Sequence, residues 1–161
     1  QSYNAPFLDD GLELVEGWRR MQGLVFRPGD ERFEGRTPED AIRAALADPE
    51  CMMVNRNQGA GTRILIDRLL GPARPDGYWN QPRSHNAVAA AVAQKRADWG
   101  VTIRPVARAA GLGFIPLTEE HYDFALVSAR KERTAVQAFL TALQLPETRE
   151  ALERAGFGRP A

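Results

Sequence analysis

Two arginines bracket a polar glycine loop in the segment Asn55-Arg56-Asn57-Gln58-Gly59-Ala60-Gly61-Thr62-Arg63. An apolar run, Cys51-Met52-Met53-Val54, precedes the loop, and Ile64-Leu65-Ile66-Asp67-Arg68-Leu69-Leu70 follows with helical spacing. The order is strand, loop, helix. Glycines let backbone N–H groups come close to a ligand, and a helix N-terminus favours an anion. The guanidinium forks of Arg56 and Arg63 suit oxyanions. The segment reads as an anion-binding corner, with Gln58, Gly59, Gly61 and Thr62 between the arginines. An ordinary strand-to-helix turn is the competing reading, and Arg63 serves equally well as a helix-surface residue. The loop is not the phosphate loop of nucleotide hydrolases, which ends in Gly-Lys-Ser/Thr. It also lacks the third glycine of a dinucleotide fingerprint.

A second polar helix start stands at Ser84-His85-Asn86. The Ser84 hydroxyl either caps that helix or serves a ligand together with the N–H groups of His85 and Asn86. His85 reads as a ligand contact or a solvent-facing polar residue, and His121 reads as a linker residue. No Gly-x-Ser-x-Gly elbow, His-Glu-x-x-His motif or framed carboxylate pair is present, so no catalytic residue is assigned. The single cysteine, Cys51, excludes an intrachain disulfide and reads as a small buried hydrophobe. No Cys/His cluster has metal-ligand spacing, and no cofactor is implied. The chain reads as a binder more than as an enzyme.

The elements that must position these residues follow from local chemistry. Leu12–Val15 and Gly23–Phe26 read as short strands, joined by the polar stretch Glu16–Gln22 with one anchoring tryptophan, Trp18. Thr37-Pro38-Glu39-Asp40 opens a helix with a cap, a proline at the first position and two acids at the positive end of the dipole. Asp48-Pro49 stops it. The glycine loop leads into a helix ending at Leu70, and residues 71–77 form a loop by composition. Tyr78 and Trp79 follow it and are expected at the surface. An alanine-rich helix is expected from Ala87 to about Ala97. Trp99 to Ile103 reads as a buried strand, and Pro105 to Ala110 as a short helix ended by Gly111. Phe114–Leu117 and Tyr122–Val127 read as two further strands. Thr134 caps a helix to Leu143, and Pro146 begins another that ends before Gly156. This alternation predicts an α/β fold with a mainly parallel sheet.

Apolar residues make up 43% and charged residues 26%, a balance typical of soluble globular proteins. Net charge is zero, which argues against broad phosphate-backbone binding and so against direct nucleic-acid contact by this domain. No run approaches the roughly 18 apolar residues of a membrane span, so no membrane role is expected. The opening residues, Gln1-Ser2-Tyr3-Asn4, are neither an initiator Met nor a signal peptide. They suggest a piece of something longer. A cytoplasmic location is the expectation.

Four blocks, Val54–Arg63, Ser84–Val92, Ala97–Val101 and Gly113–Leu117, resemble the periplasmic-binding-protein-like domain attached to helix-turn-helix regulators and molybdopterin-biosynthesis proteins. The domain is similar in plan to the type II molybdate- and tungstate-binding proteins. The resemblance covers most of the chain, from about Tyr3 to Gly156. It implies a type II fold with one complete lobe, residues 31–120, and part of a second, residues 1–30 and 121–161, which carries the crossing strands. It also implies that Arg56 touches an oxyanion, molybdate or tungstate first among them, and that Gly61 and Thr62 donate to it. Ala60 stands where the family usually has serine. Expected partners are a small anionic ligand, a fused helix-turn-helix or molybdopterin-biosynthesis domain, and a second copy in a homodimer. The alternative function is a component of molybdopterin cofactor biosynthesis that holds a phosphate-bearing pterin.

Overall fold

A computed structural model describes residues 11–158; the opening residues 1–10, and residues 159–161, lie outside the described residues. The chain divides into two compact units, Gln1–Arg20 with Glu119–Ala161, and Met21–Thr118. Elements in order are β1 (Leu12–Phe26), α1 (Pro38–Ala47), β2 (Met53–Val54), α2 (Gly61–Leu70), α3 (His85–Ala93), β3 (Trp99–Ile103), α4 (Arg104–Ala109), β4 (Gly113–Val127), α5 (Thr134–Gln144) and α6 (Pro146–Arg154). The strands order as β2-β3-β1-β4.

The sheet is mixed, which corrects the mainly parallel expectation. β2 pairs with β3 in parallel, and β1 pairs with β3 antiparallel, Gln22 opposite Ile103 and Phe26 opposite Trp99. β1 and β4 are each one strand of 15 residues rather than two short strands with a polar connection. Their polar middles find partners across the pair. Arg19 meets Glu119 at 3.5 Å and Arg20 meets Glu120 at 2.6 Å. A strand can carry charge where the opposite charge faces it.

In the larger unit the sheet is covered on both faces. Leu24, Phe26, Met53 and Trp99 pack under α1 and α2, on Ile42, Ala45, Ile66 and Leu70. Val25 and Val54 pack under α3 and α4, on Val88, Val92 and Ala107. Strand alternation sorts the residues between the two cores. Gly100 brings α3 close: a Cβ there would lie 2.8 Å from both Val54 Cγ1 and Val88 Cγ1. Cys51 is buried as expected, and its thiol is pushed up to about 12, first by burial.

Helix starts follow local chemistry where capping residues exist. Thr37 Oγ1 accepts from the Asp40 N–H at 3.2 Å, and Ser84 Oγ accepts from the Ala87 N–H at 3.1 Å. α3 stops at Ala93, earlier than expected, because Lys95 takes a positive φ of 60° and turns the chain. Thr134 is the first residue of α5 rather than its cap; Arg133 stands at the cap position without a side-chain bond.

In the smaller unit Arg19 exchanges both backbone hydrogen bonds with Gly158, at 3.0 and 2.7 Å. Gly17 lies against the Tyr122 carbonyl so closely that any Cβ would collide with it. Neither α5 nor α6 contains a buried residue, although Val136, Phe139, Leu140 and Leu143 form a stripe on α5.

Candidate functional site

The parallel pairing of β2 and β3 decides where the helices of the larger unit begin. α2 follows β2 and α4 follows β3, so both start at the strands' carboxyl ends. α3 runs back to the start of β3, so its own N-terminus stands at that same end. Two contacts confirm it. Arg56, just past β2, reaches His85 Nδ1 at 3.1 Å, and Thr102 Oγ1, near the end of β3, donates to the His85 carbonyl at 3.3 Å. Positive helix ends therefore gather on one edge of the sheet. In open α/β sheets ligands sit outside the carboxyl ends of the strands.

The glycine loop is built on a polar underlayer. Asn55 is fully buried; its Nδ2 donates to the Tyr78 carbonyl at 3.1 Å, and its Oδ1 accepts from the Arg56 N–H at 2.8 Å. The N–H groups of Asn55 and Asn57 donate to the carbonyls of Asn80 and Pro82, at 2.9 and 3.3 Å. The loop after Gly77 thus runs beside the glycine loop and extends the sheet's hydrogen bonding by two rungs. Gly59 takes a φ of 81°, which glycine adopts without strain, and turns the chain into α2.

The two bracketing arginines have different surroundings. Arg63 is buried inside the unit. Its Nε donates to both carboxylate oxygens of Asp67 at 3.0 Å, one NH group to the Arg56 carbonyl at 3.1 Å, and the other to the Tyr78 hydroxyl at 2.6 Å. Tyr78 Oη in turn donates to Asp67 at 2.8 Å, and the guanidinium stacks over the Tyr78 ring at 4.5 Å. Burial pulls the Arg63 pKa down, while Asp67 and Tyr78 push it up more strongly, and the net direction is upward. Arg63 braces the loop from below. Arg56, also buried, points instead to the start of α3, where it meets His85 and the Arg83 carbonyl at 3.4 Å.

The remaining residues named from sequence fall as follows. Gln58 is exposed, and its carbonyl accepts from Asn57 Nδ2 at 3.1 Å. Gly61 is the exposed first residue of α2, and Thr62 beside it is buried. Ser84 is exposed with its hydroxyl engaged in capping, and His85 is half-buried. Arg56, Ser84 and His85 come together; Gly59, Gly61 and Thr62 form the adjoining start of α2. Sequence reasoning missed Tyr78 and Asp67. Tyr78 was expected at the surface but is buried, because its hydroxyl closes the arginine–carboxylate pair; Trp79 beside it is 74% exposed. Among the described residues no group of three or more His, Cys, Asp or Glu side chains is placed to hold a metal ion, and no helix is long and apolar enough to cross a membrane.

The mixed α/β sheet is that of the type II periplasmic-binding-protein fold, which the solved structures similar to it share. The chain belongs to the PBP superfamily: the model of the PBP superfamily domain matches residues 1–144. It is 30% identical over 141 residues to "Uncharacterized protein YvgK" of Bacillus subtilis (strain 168), covering 81% of this chain and 44% of that protein. Among solved structures it is similar to a probable transcriptional regulator, PA0477 from Pseudomonas aeruginosa, with a TM-score of 0.63 and 19% identity, over 85% of this chain and 46% of that one. It is also similar to an ABC-type phosphate transport receptor from Vibrio cholerae, with a TM-score of 0.60 and 12% identity, over 95% of this chain and 75% of that one. The chain therefore spans less than half the length of the Bacillus relative and of the Pseudomonas regulator.

Proposed function

We propose that the larger unit binds a small anionic ligand at the carboxyl ends of β2 and β3, and that the chain serves as the ligand-sensing part of a longer, cytoplasmic regulator. The observation that carries this reading is the convergence there of the α2 and α3 N-termini with the Arg56 side chain between loop and helix. Backbone N–H groups at two helix starts, with one guanidinium, favour an anion through fixed geometry rather than net charge. Membership of the PBP superfamily supports it, as does the likeness to a phosphate receptor and a probable regulator. Gly61 and Thr62 donate to the anion from α2, and Gln58 and Gly59 shape the approach.

Molybdate and tungstate are the first inorganic candidates, with phosphate and sulfate beside them. Calorimetric titration of the four anions tests the reading, with Arg56→Ala alongside. At least one anion binds, and Arg56→Ala weakens it by about tenfold or more, the scale of one lost charge-assisted contact. Absence of heat with all four refutes the oxyanion reading. A phosphate-bearing pterin is the second reading. The exposed Trp79 favours it, since it offers a ring face in the segment running beside the glycine loop. Failure of the parent chain to bind such a pterin rules it out, and unchanged affinity in Trp79→Ala removes the ring as its contact.

A further inference from the structure

Two buried side-chain oxygens in the larger unit have no hydrogen-bond partner among the described residues: Gln22 Oε1 and Asn57 Oδ1. Gln22 is 4% exposed. It pairs in register with Ile103, the last residue of β3, and so stands at the sheet end where α2 and α3 begin. By strand alternation its side chain emerges on the face of Leu24 and Phe26, the face that α2 covers through Ile66 and Leu70. Asn57 lies in the glycine loop. Its Nδ2 donates to the Gln58 carbonyl, which fixes the amide and leaves Oδ1 as the acceptor without a donor.

Buried acceptors in native proteins almost always meet a donor, from protein, water or ligand. A fully ionised oxyanion cannot supply one, since it only accepts. The spacing adds a second constraint. β3 lies between β2 and β1, so two strand spacings, about 10 Å, separate the strand that leads to Asn57 from the strand that holds Gln22. A single tetrahedral ion held at the start of α2 reaches one of these oxygens and not the other.

We infer that the ligand is a small hydroxylated organic anion whose acidic group sits at the α2 start beside Arg56, and whose own hydroxyl donates to Gln22 Oε1. The inference rests on the anion-binding reading above and narrows its ligand class. Gln22 is then a specificity-determining residue. Its position explains a buried, polar side chain in a strand whose same-face neighbours, Leu24 and Phe26, are apolar.

The test compares ligand pairs that differ in hydroxyl groups: glycerol 3-phosphate against n-propyl phosphate, and lactate against propionate. Inorganic phosphate is the reference anion. Each is titrated into the parent chain and into Gln22→Met, which keeps the side chain's length and removes the amide. In the parent chain the hydroxylated member of at least one pair binds about tenfold or more tighter, because a site built to pair with a hydroxyl rejects an analogue lacking it. In Gln22→Met that ratio falls to about one, while the urea midpoint stays equal or rises, because replacing an unsatisfied buried polar group by an apolar one of similar shape does not destabilise. Equal binding within both pairs in the parent chain overturns the inference. So does an unchanged ratio in Gln22→Met, and so does a lower urea midpoint, which marks the amide as structural. If inorganic phosphate and all four organic anions fail to bind, the anion-binding reading itself falls, a different result from any of these.

Discussion

Replacing Arg63 by Met separates a brace from a ligand contact. The side chain donates to Asp67, the Tyr78 hydroxyl and the Arg56 carbonyl, all inside the larger unit. The bond to Asp67 is charge-assisted, a kind worth about 1.5–3 kcal/mol when buried. Asp67 keeps 39% side-chain exposure, so the lower end applies. The two bonds to neutral acceptors add about 1 kcal/mol each, and the buried Arg56 carbonyl is left without that donor. Methionine returns part of this by filling the space. The net loss is about 3 kcal/mol, which lowers the melting midpoint of a chain of this size by about 6–12 °C. Urea unfolding followed by tryptophan fluorescence reads the loss directly, because Trp99 is in the core of the same unit. Arg56→Met provides the contrast. It reaches His85 at 3.1 Å and the Arg83 carbonyl at 3.4 Å at the start of α3, so its replacement lowers anion affinity. A stability loss under about 1 kcal/mol for Arg63→Met, with anion binding abolished, refutes this division of roles.

Two further outcomes follow from the core. Gly100→Ala places a Cβ 2.8 Å from Val54 and Val88 and 2.9 Å from the Val54 carbonyl, so α3 must move away from the sheet; about 1–3 kcal/mol of stability is lost in urea titrations. Cys51 resists iodoacetamide at pH 8 until the chain unfolds, because burial raises its thiol to about 12 from an ordinary value of 9.0. The sign of the pH effect follows: the unfolded thiol ionises first, so stability is constant below pH 9 on this account and declines above it, by up to about 1.4 kcal/mol per pH unit. Cys51→Ala flattens that decline, and an unchanged alkaline slope removes the thiol as its cause.

Features set by neighbours in sequence were legible, and features set by distant partners were not. Thr37 with Pro38, Ser84 before α3, and Gly111 after α4 all act within one turn of the residues they affect, so their roles follow from local chemistry. The glycine loop was placed correctly for the same reason. The full length of β1 and β4 was not legible, because the polar stretch around Arg19 and Arg20 is stabilised as strand by Glu119 and Glu120, 100 residues away. The difference between Arg56 and Arg63 was equally hidden. Both flank the loop with the same chemistry. Only the folding back of Tyr78, 15 residues past Arg63, closes one guanidinium against a hydroxyl and a carboxylate. Gln22 sat in a stretch whose polarity suggested a solvated connection, and its burial depends on its register with Ile103.

The helices of the larger unit are capped unequally: at the candidate site α3 carries a side-chain cap and α2 does not. α1 starts with the Thr37 side chain on the Asp40 N–H, and α3 starts with Ser84 on the Ala87 N–H. α2 and α4, which leave directly from the carboxyl ends of β2 and β3, start at Ala60 and Ile103 with no side-chain cap. Alanine at that position gives up about 1 kcal/mol relative to serine or threonine. Alanine at position 60 leaves the first N–H groups of α2 without a side-chain cap, open to an anion. The arrangement around them matches this use: Arg63 and Tyr78 hold the loop rigid from beneath, Arg56 approaches from the side, and Gln22 stands two strands away with an acceptor in reserve. Rigid support below an uncapped helix start is what preorganised recognition of an anion requires, since the donors then need no rearrangement when the ligand arrives.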